Sequence, residues 1–388
     1  MDQPGARKAL ILLTLINYFN YIDRFILAAV LASIKKDLGL SDFQAGLLAT
    51  AFMIPYMFTA PLFGWLGDTR NRAKILSFGA ALWSLSTFFT GFAKNFQVLM
   101  SSRFFLGIGE SAFTTTAIPF LSDFFAPQKR GRILAIFSSA LPVGAALGYI
   151  LGGVLGSTVG WRMAFFIVGV PGLLMAIILW RFHEPIPGRH RPDYLAGEVM
   201  RVLSRSKPFV LAVLGYCAYT FVVGGVAHWI PTYIQRSFGI TEMRANVLFG
   251  GIAVGSGLIG TLAGGYLGDF MDRKRSGGHL RISSYSMLMA VPFFWWCLQA
   301  TELNTFMVNL ALTQFFFFLS TSPINVALIE SVPGNFRTSA MAISIFASHL
   351  LGDAISSPLI GKYSDMTGSL KAGILLCTPV ILLSWVFW

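Results

Sequence analysis

Long apolar runs alternate with short polar ones along the whole chain. Twelve such runs stand out, at about 9–33, 43–66, 75–93, 96–121, 133–155, 161–180, 208–233, 245–267, 282–300, 303–327, 338–361 and 370–388. Each reaches the roughly 20 residues that an α-helix needs to cross a hydrocarbon layer of about 30 Å. In lipid every backbone N–H and C=O must find its partner inside the segment, so the runs predict helices. The alternation of a barrel strand, apolar then polar over about ten residues, is absent.

Composition sharpens this. Of 388 residues 55% are hydrophobic and 12% charged, with a mean hydropathy of +0.67. So few polar residues cannot clothe a water-facing surface, which excludes a soluble enzyme, a secreted disulfide scaffold and a disordered chain. The net charge of +12 does not point to nucleic acid, because the basic residues gather in the short loops. Nineteen Lys and Arg fall on one side of the predicted spans and eight on the other, which makes the first side cytoplasmic and puts both termini there. The expected location is a multi-pass position in a bacterial-type inner or plasma membrane. The first apolar run, starting near Ala9, lacks a small-residue cleavage site and reads as a span rather than a signal peptide. Cys217, Cys297 and Cys377 lie inside apolar runs, with no disulfide framework, and no metal-binding spacing is evident. No cofactor or metal is expected.

The longest polar stretch divides the spans six and six. The expected organisation is a six-helix bundle over 1–182, a cytoplasmic linker over 183–207 with amphipathic helical character, and a second bundle over 208–388. In the linker Leu195, Val199 and Val202 share one helical face, opposite Glu198, Arg201 and Arg205. The second half also repeats the first. Gly64-Trp65-Leu66-Gly67-Asp68, followed by Arg70, Arg72 and Lys74, returns 201 residues later as Gly265-Tyr266-Leu267-Gly268-Asp269, followed by Arg273, Lys274 and Arg275. Gly144 and Gly153 return as Gly352 and Gly361 at an offset of 208. Two repeated halves imply a pseudo-two-fold axis along the membrane normal and a substrate site near the midplane. The fold class is therefore all-α integral membrane protein, twelve transmembrane helices in two pseudo-symmetric six-helix bundles.

The duplicated Gly-x-Leu-Gly-Asp signal with its basic tail resembles the signature of the major facilitator superfamily. The residue immediately after the aspartate, usually basic there, is Thr69 in one copy and Phe270 in the other. The resemblance implies that Gly64, Gly67, Asp68, Arg70 and Arg72, with Gly265, Gly268, Asp269 and Arg273, form a cytoplasmic gate. A narrower resemblance, to the spinster family, is carried by Asn17-Tyr18-Phe19-Asn20-Tyr21-Ile22-Asp23-Arg24, by Ala60-Pro61-Leu62-Phe63-Gly64 and by Arg103 to Ser111 with Gly107, Gly109 and Glu110. It implies transport of lysophospholipids and sphingosine-1-phosphate-like amphiphiles, linked to protons.

Charges inside a span are expensive, about 2.5–3.5 kcal/mol each on insertion scales, and mark function by default. Four stand out: Asp23 and Arg24 in span 1, Arg103 and Glu110 in span 4. Arg103, Gly107, Glu110 and Thr114 are spaced 4, 3 and 4, one stripe on a helix. Asn20 and Asp23 share a face of span 1, with Asn17, Tyr21 and Arg24 beside it. This predicts a proton-coupling group of Glu110, Asp23, Arg103 and Arg24, Glu110 being the principal proton sensor with Arg103 and Asp23 as its electrostatic partners; because Arg103 and Glu110 are about 10 Å apart along their helix, the alternative is that each reaches across to span 1, where Asp23 and Arg24 offer opposite charges. Asn20, Tyr21 and Thr114 are expected to line a substrate cavity, with His349 and Asp353, which are four residues apart in span 11. Asp123 is expected to pair with Lys129 or Arg130, and Glu330 with a loop arginine such as Arg337. His228 and Trp229 read as an interfacial anchor, and the tract Gly144–Gly156 as a place where helices bend.

The function expected from these features is secondary transport by alternating access, with protons as coupling ion and an amphiphilic small molecule as cargo. Membrane lipids are the expected surroundings and the protein is expected to be a monomer. An importer of small organic anions and a drug–proton antiporter are alternatives of the same fold. A non-transporting membrane sensor and a gradient-independent lipid conduit are alternatives of another class.

Overall fold

The computed structural model describes residues 3–125, 133–134, 136–182, 196–274, 277–333 and 337–388. These are almost entirely helical. In chain order the helices are α1 Ala6–Ala29, α2 Leu31–Leu38, α3 Asp42–Thr69, α4 Arg72–Thr90, α5 Phe96–Asp123, α6 Ala140–Thr158 and α7 Trp161–Trp180. Then come α8 Ala196–Arg205, α9 Lys207–Phe238, α10 Glu242–Lys274, α11 Gly278–Gln299, α12 Leu303–Glu330 and α13 Arg337–Ser348. A π-turn over His349–Asp353 leads into α14 Ala354–Thr367, α15 Leu370–Leu375 and α16 Cys377–Phe387. Among the described residues ten helices are long and apolar enough to cross a membrane. The third and ninth predicted spans are occupied by α4 and α11, of 19 and 22 residues.

The chain forms two compact units. Unit 1 comprises 1–40, 47–191 and 241–250; unit 2 comprises 41–46, 192–240 and 251–388. The core of unit 1 is built on Trp83, Phe113, Phe120, Leu76, Leu106, Leu13 and Ile16. Trp83 and Phe113 meet edge to face with centroids 5.1 Å apart, the arrangement that their ring quadrupoles favour.

Lipid tails are as apolar as leucine, so close packing rather than hydrophobic exclusion holds membrane helices together. The glycine tract of α6 serves this end: Gly144, Gly148 and Gly152 form a four-residue stripe against α1. A Cβ on Gly148 would lie 2.9 Å from Phe25 Cβ and 3.0 Å from the Ile22 carbonyl. The tract was expected to be a place where helices bend; three of its five glycines, Gly144, Gly148 and Gly152, act as a contact surface. In unit 2 the repeat places Gly352 the same way, against Cys217 and Phe221 of α9. Residues Val202 and Leu203 of α8 pack on the unit 2 cluster that contains Phe209, Ala212, Ile324 and Leu328. The linker residues 183–195, Leu195 among them, lie outside the described residues, as do the side chains of Glu198 and Val199.

Candidate functional site

Within unit 1, α1 and α5 run close enough for their charged stripes to meet. Arg24 donates to Glu110 Oε2 through Nη2 at 2.5 Å and through Nε at 3.0 Å. The Arg24 guanidinium is also surrounded by aromatic faces: Phe52 at 4.8 Å, and Tyr21 and Tyr56 at 5.4 Å each. Such faces hold a cation that has lost its water. Tyr56 in turn shares a hydrogen bond of 3.0 Å with Thr114, whose hydroxyl donates to the Glu110 carbonyl at 2.9 Å. The Arg24 side chain is 18% exposed and that of Glu110 is fully covered, so the arginine is the accessible member of the pair.

Asp23 and Arg103 lie beside this pair, both buried. Trp83, Thr87 and Arg103 are the polar and charged neighbours of Asp23 besides Glu110. The Arg24–Glu110 contact is the reach across to span 1 that the sequence left open, and Arg103 and Asp23 stay near as charged neighbours rather than as the direct partners of Glu110. A helical rise of 1.5 Å per residue separates Arg103 from Glu110 by about 10 Å on their own helix, whereas neighbouring α1 brings Arg24 into range. Glu110 Oε1, Asp23 Oδ1, both amide atoms of Asn20, and Nε and Nη2 of Arg103 have no hydrogen-bond partner among the described residues. Buried polar atoms are almost always paired with protein or water, so this concentration marks a place built for something other than packing. Asn17, by contrast, donates to the Phe137 carbonyl at 3.0 Å and ties α1 to the segment before α6.

In unit 2, His349 Nδ1 lies 3.0 Å from Asp353 Oδ2, a pair presented by the π-turn. π-turns are rare and recur at functional sites. Thr220 of α9 donates to the Ser348 carbonyl at 2.8 Å and steadies the turn.

The Major Facilitator Superfamily description matches residues 13–356 of this chain. Protein spinster homolog 1 of Xenopus laevis is 34% identical over 386 residues, covering 92% of this chain and 72% of its own. Protein spinster homolog 1 of Homo sapiens is 32% identical, covering 93% and 74%. The chain belongs to the spinster family of the major facilitator superfamily. The probable sphingolipid transporter spinster homolog 1 of Arabidopsis thaliana is 28% identical over 99% of this chain and 88% of its own. A crystal structure of a bacterial homologue of the human lysosomal transporter spinster, inward-facing and unoccupied, superposes with a TM-score of 0.85 at 22% identity. It covers all of this chain and 95% of that one, which shows the shared fold. This spinster protein is therefore a multi-pass integral membrane transporter, of a superfamily of carriers rather than enzymes, with a small-molecule or lipid substrate.

In this spinster protein the residues of the duplicated superfamily signature are spread over several environments. Gly67 lies against the Thr116 methyl, and Arg70 is exposed. The side chains of Asp68 and Thr69 lie outside the described residues. Arg72 is buried, donates to Asp123 at 2.5 Å and places its guanidinium 5.9 Å from the Phe120 ring centre. Arg72 was not among the expected partners of Asp123; those, Lys129 and Arg130, lie outside the described residues. In the second copy Gly265 faces Ser322, Gly268 faces His279, and Arg273 is exposed. Asp269 is near His279, and Lys274 packs on Phe270. The Arg337 side chain, expected near Glu330, lies outside the described residues. His228 and Trp229 are buried, and Trp229 donates to the Ser357 carbonyl at 3.0 Å; they are interior residues and not an interfacial anchor.

A second polar group escaped the sequence reading. Arg236 grips Asp42 through two hydrogen bonds of 2.8 and 2.9 Å, and Ser364 donates to the same carboxylate at 2.6 Å. Asp365 accepts the backbone N–H of Asp42 and of Phe43 at 2.8 and 2.7 Å, capping α3. All four residues belong to unit 2. In the sequence they look like loop-end charges with no common spacing.

Proposed function

We propose that this spinster protein is a proton-coupled secondary transporter of an amphiphilic lipid with an anionic headgroup, such as a lysolipid or a sphingosine phosphate. It works by alternating access between its two six-helix halves, 1–182 and 208–388. The observation that carries this reading is the Arg24–Glu110 pair. While Glu110 is ionised it occupies the guanidinium. A proton on Glu110 frees Arg24 to take a phosphate oxygen instead, the planar fork being suited to bidentate phosphate contact. Proton and headgroup anion then enter together, and neither leaves an uncompensated charge inside the membrane. Asp23 and Arg103 are the neighbouring charges that respond when the pair opens. Asn20, Tyr21 and Thr114 line this site in unit 1, and His349 and Asp353 serve as substrate contacts of unit 2.

The names of the Arabidopsis relatives support a sphingolipid-like cargo. The aromatic ring around Arg24 supports a headgroup joined to apolar surface. The signature residues around Asp68 act as the cytoplasmic gate, both termini lie in the cytoplasm of a bacterial-type cell, and the protein acts as a monomer with no cofactor.

Purified protein in liposomes tests this. Labelled sphingosine 1-phosphate is expected to accumulate when an inward proton gradient is imposed and only to equilibrate without one. Equilibration at the same rate in both conditions would indicate a lipid conduit, and no movement a sensor. Accumulation of a small organic anion in place of the lipid would select the alternative cargo.

A further inference from the structure

At one end of unit 2, α10, α11 and α12 bring a histidine and two carboxylates to a single point. The first residues of α11 press against the last turn of α10. Gly277 has a φ of +81°, and a Cβ on Gly278 would lie 2.2 Å from the Asp272 nitrogen, so glycine is required at both places. This closeness lets Asp272 Oδ1 accept the Gly278 N–H at 2.9 Å, fixing that carboxylate beside His279 at the start of α11. α12 packs along α11 and delivers its last residue, Glu330, to the same place. One donor atom each from Asp272, His279 and Glu330 lies within 4.8 Å of the other two. Asp269, nearly one turn earlier on α10, adds a third carboxylate, its Oδ1 3.6 Å from His279 Nε2.

The histidine carries the inference. His279 is only 6% exposed, yet its ring makes no hydrogen bond among the described residues. Nδ1 has no partner, and Nε2 stands beyond hydrogen-bond length from Asp269. A buried imidazole is normally held by a hydrogen bond. Here it is offered carboxylate oxygens at a distance suited to a shared ion.

We propose that Asp272, His279 and Glu330 bind a divalent transition-metal cation, with Asp269 available as a fourth ligand. Carboxylates alone would suit calcium or magnesium; the imidazole nitrogen moves the preference to zinc or manganese. Zinc–ligand bonds of about 2.0–2.2 Å require the three donor atoms to draw together by an ångström or so. Asp272 lies in the last turn of α10 and Glu330 is the last residue of α12, where side chains are free to adjust. Glu330 is exposed, which gives the ion a way in, and the Gly278 N–H on Asp272 is the kind of outer contact that orients a metal-bound carboxylate. The ion ties the ends of three helices together in the repeat copy where Phe270 stands in place of the basic residue after Asp269. The three ligands are 7 and 51 residues apart in the chain, which is why no metal-binding spacing is visible in the sequence.

The test is calorimetric titration of tag-free protein in detergent with zinc chloride, then with manganese, calcium and magnesium chlorides. One zinc or manganese ion per chain is expected, with a rise in unfolding temperature. Glu330→Gln, an exposed change compatible with folding, is expected to weaken binding at least tenfold, and His279→Gln to abolish it. Glu302→Gln, an exposed carboxylate elsewhere in unit 2, is expected to leave it unchanged. Absence of saturable binding, or an affinity unaltered by both Glu330→Gln and Asp272→Asn, would overturn the site. Tighter binding of calcium or magnesium than of zinc or manganese would overturn the transition-metal assignment.

Discussion

Arg24 and Glu110, 86 positions apart in the chain, form a two-pronged charge pair on facing sides of α1 and α5, with Glu110 fully covered and Arg24 partly open. The asymmetry gives the two residues different consequences when changed. Arg24→Met leaves a covered carboxylate without its cation, a loss of about 3 kcal/mol or more for a buried pair at neutral pH. The loss shrinks as pH is lowered and a proton neutralises Glu110. Adding Glu110→Gln to Arg24→Met removes the stranded charge, so the double variant is expected to melt above Arg24→Met alone. Unfolding temperatures in detergent, measured across pH for the two singles and the double, check this. Purely additive losses would mean that the two side chains do not depend on each other.

The two arginines after Asp68 are equivalent in the sequence and unlike in the structure. Arg70 is exposed, whereas Arg72 is buried against Asp123 and Phe120. Arg70→Ala is therefore expected to change stability by less than about 0.5 kcal/mol, in the range of ordinary surface changes. Arg72→Ala takes from Asp123 its partner among the described residues and removes packing as well; a loss of roughly 1–3 kcal/mol is expected, reduced because Asp123 is partly solvated. Thermal unfolding of the two variants side by side separates the positions, and equal effects would contradict the distinction.

The stripe on α6 makes a steric prediction. Gly148→Val places new atoms where Phe25 and the Ile22 carbonyl already sit, and overpacking of this kind typically destabilises by about 1–3 kcal/mol. Gly251→Ala on α10, where a Cβ meets nothing within 4 Å, is the matched control and is expected to be tolerated. Size-exclusion profiles after a heating step report both. A stable Gly148→Val would mean that α1 and α6 do not approach as closely as described.

The architecture was legible because lipid imposes a simple rule on the chain: helices of about 20 apolar residues, with charges kept to their ends. Asp23, Arg24, Arg103 and Glu110 stood out for the same reason, being charges where lipid tolerates almost none. Their pairing was only partly legible: the distance between Arg103 and Glu110 along one helix pointed to span 1, but which of its charges meets Glu110 depends on which turn of α1 faces which turn of α5. Asp123 shows a second limit. The sequence offers Lys129 and Arg130 close by, but helix packing brings in Arg72 from 51 residues away. The Asp42–Arg236–Ser364 group is further still from any local pattern, its members separated by 194 and 322 positions. Glycines of α6 read equally well as hinges or as contact points, and only the neighbouring atoms of α1 decide for contact.

Transport by Glu110→Gln against an imposed proton gradient bears most directly on proton coupling. Glutamine keeps the shape of a protonated carboxyl, cannot titrate and leaves Arg24 open to a phosphate. In proteoliposomes the unmodified protein is expected to accumulate labelled sphingosine 1-phosphate only with the gradient, whereas Glu110→Gln is expected to exchange it at one rate with or without the gradient. Gradient-driven accumulation by Glu110→Gln at the level of the unmodified protein would contradict the coupling role of this residue and move it to another group, with Asp23 next in place.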